Sequence, residues 1–186
     1  MQSSVSQAAI LCGGLGTRLR PHTDLVPKPM VDVAGKPFLE HLMAQVSGEG
    51  VRRFVLMTGY LGDQIRAHFG DGSAWGWEIT YVHGPVEWDT GRRLIEASED
   101  LDSSFLLLYS DNWADLDLST LEDAHRSGGV AVTVTLVGRD RGNIRFEGGP
   151  LIEAYVPSRV GDGLDHVEIG YSILERDSVI ERLEAV

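Results

Sequence analysis

A glycine-rich segment near the amino terminus carries the residue types that bind a polyphosphate. It follows an apolar run at residues 8–11, and its members are Gly13, Gly14, Gly16, Thr17 and Arg18. A strand that ends in such a turn lets backbone N–H groups cradle an anion, usually a phosphate. Lys28 and Lys36 are the only lysines in the chain, beside 14 arginines. A lysine placed here despite that bias indicates a compact, mobile point charge, so we expect Arg18 and Lys28 to bind phosphates.

Two common phosphate-binding motifs do not fit this segment. A P-loop requires four residues between its first glycine and a Gly-Lys-Ser/Thr sequence, and no such spacing occurs here. The dinucleotide fingerprint requires Gly-x-Gly-x-x-Gly, but counted from Gly14 the third glycine is replaced by Leu19, and Pro21 interrupts the expected helix start. The sequence therefore argues against a nicotinamide-dependent oxidoreductase.

A third pattern does fit: Gly-x-Gly-Thr-Arg-Leu at residues 14–19, followed after a short gap by Pro-Lys-Pro at residues 27–29. With these two motifs at this separation, the chain resembles the sugar-1-phosphate nucleotidyltransferases, also called nucleotide-sugar pyrophosphorylases. The resemblance covers nearly all of residues 7–184. It implies attack by a sugar 1-phosphate oxygen on the α-phosphorus of a nucleoside triphosphate, with release of pyrophosphate.

The resemblance also implies roles for individual residues. Arg18 would hold the β- and γ-phosphates and Lys28 the α-phosphate, and these two are the predicted catalytic residues. Nucleotide-binding residues would be Leu11, Gly13, Gly14, Gly16, Thr17, Thr90 and Gly91. Glu168 and Arg159 would bind the sugar phosphate.

A predicted metal ligand follows the apolar run at residues 105–109. Taken alone, Asp111 is equally a turn or cap residue. In the family that the chain resembles, the aspartate at this position binds Mg²⁺, so the resemblance implies Mg²⁺ as cofactor. A hard cation with oxygen ligands suits a polyphosphate substrate.

The chain departs from the family pattern at several places. Ser110 replaces a glycine before the metal aspartate, and Asp89 and Arg92 replace glycines beside Thr90, which could bring Arg92 or Arg93 near a phosphate. The Glu-Lys pair expected after the late hairpin is absent, which leaves Arg159 as the substitute. A second metal-binding aspartate would lie beyond residue 186. We expect one nucleotidyltransferase domain over 1–186, and it is either truncated at its carboxyl end, part of a larger protein, or a compact member of the family.

The elements that position these residues alternate between apolar strands and amphipathic helices. Strands are predicted at 8–11, 53–58, 79–82, 105–109, 130–137 and 167–174, with a late hairpin at 143–146 and 151–156. Helices are predicted at 37–47, 62–69, 92–99, 118–127 and 178–184. This alternation predicts an α/β fold, a three-layer Rossmann-like sandwich around a mostly parallel mixed sheet. Ligands then bind beyond the carboxyl ends of the strands.

Bulk properties restrict the partners. A net charge of −12 argues against nucleic acid and requires locally concentrated positive charge for an anionic substrate. No apolar stretch approaches about 20 residues, so we expect no membrane span. A single cysteine, Cys12, excludes an internal disulfide and favours a cytoplasmic location. The six histidines have no ligand-like spacing.

The expected function is synthesis of a nucleotide-activated sugar. General likeness favours a mannose- or heptose-1-phosphate guanylyltransferase that uses GTP, with CTP and glucose 1-phosphate as the nearest alternative. An alternative from another class is a catalytically weak domain that binds a nucleotide or sugar phosphate. The sequence leaves the base, the sugar and an oligomeric state open.

Overall fold

The computed structural model describes residues 5–185, and strands and helices alternate along most of this range. The strands are β1 (Gln7–Cys12), β2 (Asp32–Val33), β3 (Lys36–Pro37), β4 (Arg53–Thr58), β5 (Glu78–His83), β6 (Ser104–Tyr109), β7 (Val132–Gly138), β8 (Ile144–Arg145), β9 (Ala154–Tyr155) and β10 (His166–Glu175). The helices are α1 (Phe38–Gly48), α2 (Gly62–Phe69), α3 (Thr90–Glu96), α4 (Leu118–Gly128) and α5 (Arg176–Glu184). Short 3₁₀ turns at Thr17–Leu19, His22–Asp24 and Lys28–Met30 follow β1.

The central sheet has the order β5-β4-β1-β6-β10, with β7 and β8 both paired to β10 and β9 paired to β8. The four strands β5, β4, β1 and β6 are mutually parallel, whereas β10 runs antiparallel to β6. Parallel strands that are covered on both faces consist of nearly continuous apolar residues, which is the composition of β1, β4 and β6.

The side chains of these strands divide between two cores. Ala8 and Ile10 of β1 pack in a core with apolar residues of α1, α2 and α4. Ala9, which points to the other face, packs in a second core with Leu94 of α3 and Val179 of α5. Because successive strand residues face opposite sides, the sheet is a middle layer between two layers of helices.

The connection order creates a switch point beside β1. The chain passes from β1 to β4 and β5 on one side of the sheet, then returns to β6 on the other side. Ligands of open α/β sheets bind at the carboxyl ends of the strands beside such a point. The glycine-rich segment follows β1 and Asp111 follows β6, so the topology brings both to the same edge.

The predicted α/β class, the three layers and the mostly parallel mixed sheet are confirmed. The late hairpin is confirmed as the antiparallel pair β8–β9, although each strand has only two paired residues. The helix expected at 92–99 begins at Thr90 instead, because the side chain of Asp89 caps it, and it gives way to a 3₁₀ turn at Ser98–Asp100. The sequence did not reveal the small hairpin β2–β3.

Candidate functional site

A cleft of about 430 Å³ opens at the carboxyl ends of β1 and β6. Most of the residues predicted to bind or transfer a nucleotide line it: Leu11, Gly13, Gly14, Gly16, Thr17, Arg18, Lys28, Thr90 and Asp111. They come from four separate segments of the chain, which the sheet order brings together. The cleft is therefore the candidate functional site.

Gly13, Gly14 and Gly16 of the glycine-rich segment differ in the space around them and in backbone conformation. At Gly14 an added Cβ would meet no atom within 4 Å, so this position is open to the cleft. Gly16 has φ +62°, and its Cβ would lie 3.0 Å from Lys28 Cβ and from Thr23 Cγ2. At Gly13 a Cβ would overlap the guanidinium of Arg93, at 2.2 Å from Cζ. Only Gly14 thus leaves free space for a ligand.

Gly16 also orients the arginine of the loop. Its left-handed conformation caps the 3₁₀ turn Thr17–Leu19, and the buried Thr23 donates from Oγ1 to the Gly16 carbonyl at 2.9 Å. Arg18 lies in this turn, exposed at the cleft wall. Within residues 5–185, no hydrogen bond or ion pair holds its side chain. Its guanidinium is free to bind an anion.

Lys28 lies beside Gly16 of the glycine-rich segment and forms an ion pair with Asp111. The lysine begins the 3₁₀ turn Lys28–Met30, which Pro27 precedes in extended conformation and in which Pro29 is buried. The two side chains are 26% and 32% exposed, so water and ligands reach the pair. A partly exposed pair of this kind contributes at most about 1 kcal/mol to stability. Both groups are therefore available to exchange partners.

The neighbours of Asp111 fix its position. Ser110 donates from Oγ to the carbonyl of Leu11 at 2.6 Å, which joins the ends of β6 and β1. Asn112 donates from Nδ2 to the carbonyl of Ile169 in β10 at 2.9 Å. Among the described residues no cluster of three or more His, Cys, Asp or Glu side chains could hold a metal. A cation at Asp111 would complete its shell with phosphate and water oxygens, which is how Mg²⁺ is commonly bound.

The opposite wall of the cleft leads into α3. Asp89 accepts a hydrogen bond from the backbone N–H of Arg92 at 2.8 Å and caps the helix, which explains an aspartate at this position. Thr90 lines the cleft, but a Cβ on Gly91 would lie 3.1 Å from Leu183 of α5, so Gly91 faces the helix layer instead. Arg92 is exposed and pairs with Glu96 outside the cleft wall.

Cys12 lies at the end of β1 and lines the base of the cleft, yet its thiol is fully buried. Burial raises the pKa of the thiol to about 12. Because the thiolate is the reactive form, Cys12 does not serve as a nucleophile near neutral pH. Its small apolar side chain fills the core below the loop.

The structure does not bring the two predicted sugar-phosphate residues to the cleft wall. Glu168 accepts hydrogen bonds from Gly170 N at 2.5 Å and from Ser172 Oγ at 3.4 Å, inside a β-bulge of β10. Partial burial raises the pKa of its carboxyl. Arg159 is exposed in the loop after β9.

Sequence analysis missed several residues that line the cleft. Trp88 and Val86 contribute apolar surface just before α3. Tyr109, the last residue of β6, and Ser110, which follows it, also line the cleft. The sequence suggested that either Arg92 or Arg93 lies near a phosphate. Arg93 is buried beneath residues 13–18, which we call the glycine loop. Only the order of the strands in the sheet brings these residues to the cleft, and their spacing in the sequence matches no known motif.

Comparison with known proteins defines the class of this fold and site. The model of the nucleotidyl transferase family matches residues 7–145, which include both motifs, Asp111 and the complete parallel part of the sheet. The chain belongs to the nucleotidyl transferase family.

Two curated relatives are similar over most of the chain. A mannose-1-phosphate guanylyltransferase of Mycobacterium tuberculosis is 34% identical over 95% of the chain and 50% of its own length. A probable glucose-1-phosphate cytidylyltransferase of Bacillus subtilis is 35% identical over 69% of the chain and 59% of its own length. The chain thus spans about half the length of the curated relatives it matches.

A solved structure shares the fold. HddC from Yersinia pseudotuberculosis superposes with a TM-score of 0.80 at 24% identity, covering 95% of this chain and 80% of HddC. This similarity confirms the arrangement of layers and strands.

Gly16→Ala is expected to destabilise the protein by about 1–2 kcal/mol, because an L-residue is strained at this positive φ and its Cβ crowds Lys28 and Thr23. Gly14→Ala is the matched control, since its Cβ meets open space and the free energy of unfolding should hardly change. Urea denaturation of both variants measures the difference. Equal stability of the two would contradict this account of the loop.

Proposed function

We propose that the protein transfers a nucleotidyl group from a nucleoside triphosphate to a sugar 1-phosphate, giving a nucleotide-activated sugar and pyrophosphate. The observation that carries this proposal is the convergence of three charged residues in one cleft beside Gly14, whose position is open. Arg18 has no partner among the described residues, and Lys28 and Asp111 pair with each other. The sugar 1-phosphate substrates named for the two curated relatives support it. The match covers 50% and 59% of these relatives' own lengths, so the activity of the whole protein is part of this proposal.

The geometry suits a reaction that depends on positioning and charge. A phosphate oxygen of the sugar 1-phosphate is already ionised near neutral pH, so it attacks the α-phosphorus without a general base. Arg18, exposed in its 3₁₀ turn, would bind the β- and γ-phosphates and hold the departing pyrophosphate. Lys28 would stabilise the negative charge on the oxygens of the transferring phosphoryl group, for which a flexible point charge is suited.

Asp111 is the residue of this cleft that would hold Mg²⁺. Its carboxylate supplies a hard oxygen ligand at the carboxyl edge of the sheet, next to the proposed phosphate site. When bound, the ion would neutralise part of the triphosphate charge that otherwise repels an anionic nucleophile. The protein contribution is to fix Asp111 between Ser110 and Asn112, each hydrogen-bonded to a different strand.

Base and sugar are proposed from the relatives. The guanylyltransferase similarity that extends over 95% of the chain favours GTP with mannose 1-phosphate, and heptose 1-phosphate is the alternative sugar for GTP. The cytidylyltransferase similarity keeps CTP with glucose 1-phosphate as the second pair. We also propose a cytoplasmic location, which suits the unpaired Cys12 thiol. Among the described helices, none has the length and apolar character needed to cross a membrane.

A pyrophosphate-release assay with four triphosphates and a panel of sugar 1-phosphates tests the function. We expect release that requires both substrates, with GTP or CTP preferred. Triphosphate binding without release by any pair would favour a domain that only binds nucleotide. Absence of both binding and release would reject the proposal.

Lys28→Ala should fold as the parent does and lose about 10²-fold or more in turnover, because a charge positioned on a transferring phosphoryl group is removed. Lys28→Arg should also be slow, since a planar fork does not replace a point charge. Lys36→Met is the matched control, because Lys36 pairs with Glu40 outside the cleft. Turnover of both Lys28 variants near that of the parent would remove Lys28 from the mechanism.

Asp111→Asn keeps the shape of the side chain but removes the charge that a Mg²⁺ ion requires. Calorimetry should show that Mg²⁺ strengthens triphosphate binding in the parent and does so much less in the variant. Asp115→Asn, an exposed aspartate after the same strand, serves as control. Since the Lys28–Asp111 pair is partly exposed, the free energy of unfolding of Asp111→Asn should fall by no more than about 1 kcal/mol. A decrease of several kcal/mol in this free energy would instead show that Asp111 mainly stabilises the folded structure.

A further inference from the structure

Arg93 of α3 is buried at the base of the cleft, with only 5% of its surface exposed. All three of its side-chain nitrogens donate to backbone carbonyls. Nε donates to Trp88 at 3.2 Å, Nη1 to Thr58 at 2.8 Å and Nη2 to Pro85 at 2.8 Å. The guanidinium thereby uses its planar fork on three separate points of the main chain.

These carbonyls belong to two parts of the fold. Thr58 is the last residue of β4, whereas Pro85 and Trp88 lie in the connection between β5 and α3. We call this connection, residues 84–89, the 84–89 wall, because three of its members line the cleft: Val86, Trp88 and Asp89. Arg93 therefore ties the 84–89 wall to the edge of the sheet.

The glycine loop packs directly on the same guanidinium. A Cβ at Gly13 would lie 2.2 Å from Arg93 Cζ and 2.4 Å from both Nη atoms. A Cβ at Gly59 would likewise lie 2.9 Å from Nη2. The guanidinium is thus enclosed between the glycine loop on one side and the 84–89 wall on the other.

No carboxylate pairs with Arg93 in the part of the chain that the structure describes. Carbonyl dipoles alone compensate its charge, and burial lowers the pKa of the group. Burying a cation without a counter-charge is costly. Leucine or methionine would fill similar volume in a helix that only needed packing, so the donor fork itself is what this position uses.

We propose that Arg93 is a positioning residue that sets the spacing between the glycine loop and the 84–89 wall, and thereby the fit of the nucleoside part of the substrate. This proposal rests on the proposed function of the cleft. Among the described residues, Arg18, Lys28 and Asp111 make no hydrogen bond to the three carbonyls, so we expect a change at Arg93 to raise KM more than it lowers kcat.

The test compares Arg93→Lys with Arg93→Met, using GTP and CTP as probes together with UTP and ATP. Lysine keeps the charge but cannot reach three carbonyls at once, so both variants should raise KM for the preferred triphosphate roughly tenfold or more, with kcat within about threefold. The KM for the sugar 1-phosphate should stay unchanged. Arg126→Ala, a helix-surface arginine paired with Asp123, is the control for arginine removal.

A double-mutant cycle tests the contact between Arg93 and Gly13 by changing both residues. Gly13→Ala should weaken triphosphate binding, because its methyl group displaces the guanidinium. In an Arg93→Ala background the vacated space accepts that methyl group, so Gly13→Ala should add little further loss. If Arg93→Met or Arg93→Lys fails to fold, the Gly13→Ala variant, which keeps Arg93, tests the same contact, and unchanged triphosphate affinity in it would overturn the proposal.

The outcomes separate the two levels of inference. A parent protein that binds none of the four triphosphates overturns the proposed function and this inference with it. A parent that binds, with unchanged KM in folded Arg93→Lys and Arg93→Met, overturns the role of Arg93 alone. Loss of affinity in Arg93→Met but not in Arg93→Lys would assign the effect to charge and also overturn positioning. Additive losses in the cycle would do the same.

Discussion

The parallel pairing of β1 with β6 is the constraint on which the site depends. The register places Leu11 opposite Tyr109, so the two strands end side by side. Ser110 then donates to the Leu11 carbonyl just beyond the last pair and prevents the ends from separating. Because one strand is followed by the glycine loop and the other by Asp111, a backbone ladder sets the separation between the proposed phosphate and metal positions. Side chains alone could not fix that separation as rigidly.

Local charge in the cleft opposes the charge of the whole molecule. The chain carries a net charge of −12, yet Arg18, Lys28 and Arg93 all line one cleft, where Asp89 caps a helix and Asp111 pairs with Lys28. Arg18 is exposed and unpaired within the described residues, whereas Arg93 is enclosed by carbonyls. The same residue type therefore occupies two environments, one open to the cleft and one hydrogen-bonded to the main chain.

Much of this arrangement could be predicted from the sequence. Apolar runs and helical periodicity gave the layers, and two short motifs gave most of the residues that line the cleft. Local signals failed where a contact joins distant segments. Gly13 was expected to make room for a nucleotide, but the nearest atoms to its missing Cβ belong to Arg93, far along the chain. The departures at Asp89 and Ser110 proved to be a helix cap and a link between strands, which only the three-dimensional structure could reveal.

Lys28 and Asp111 neutralise each other through their ion pair. An anion that takes Lys28 alone leaves the carboxylate without its partner, and a cation that takes Asp111 alone leaves the ammonium without its partner. When an anion and a cation bind together, the ion pair between Lys28 and Asp111 is replaced by two pairs, one between Lys28 and the anion and one between Asp111 and the cation. Each therefore lowers the free-energy cost of admitting the other, and thermodynamic reciprocity requires the effect to be equal in both directions. If the proposed phosphate and Mg²⁺ bind at Lys28 and Asp111, this one partly exposed contact makes their binding cooperative.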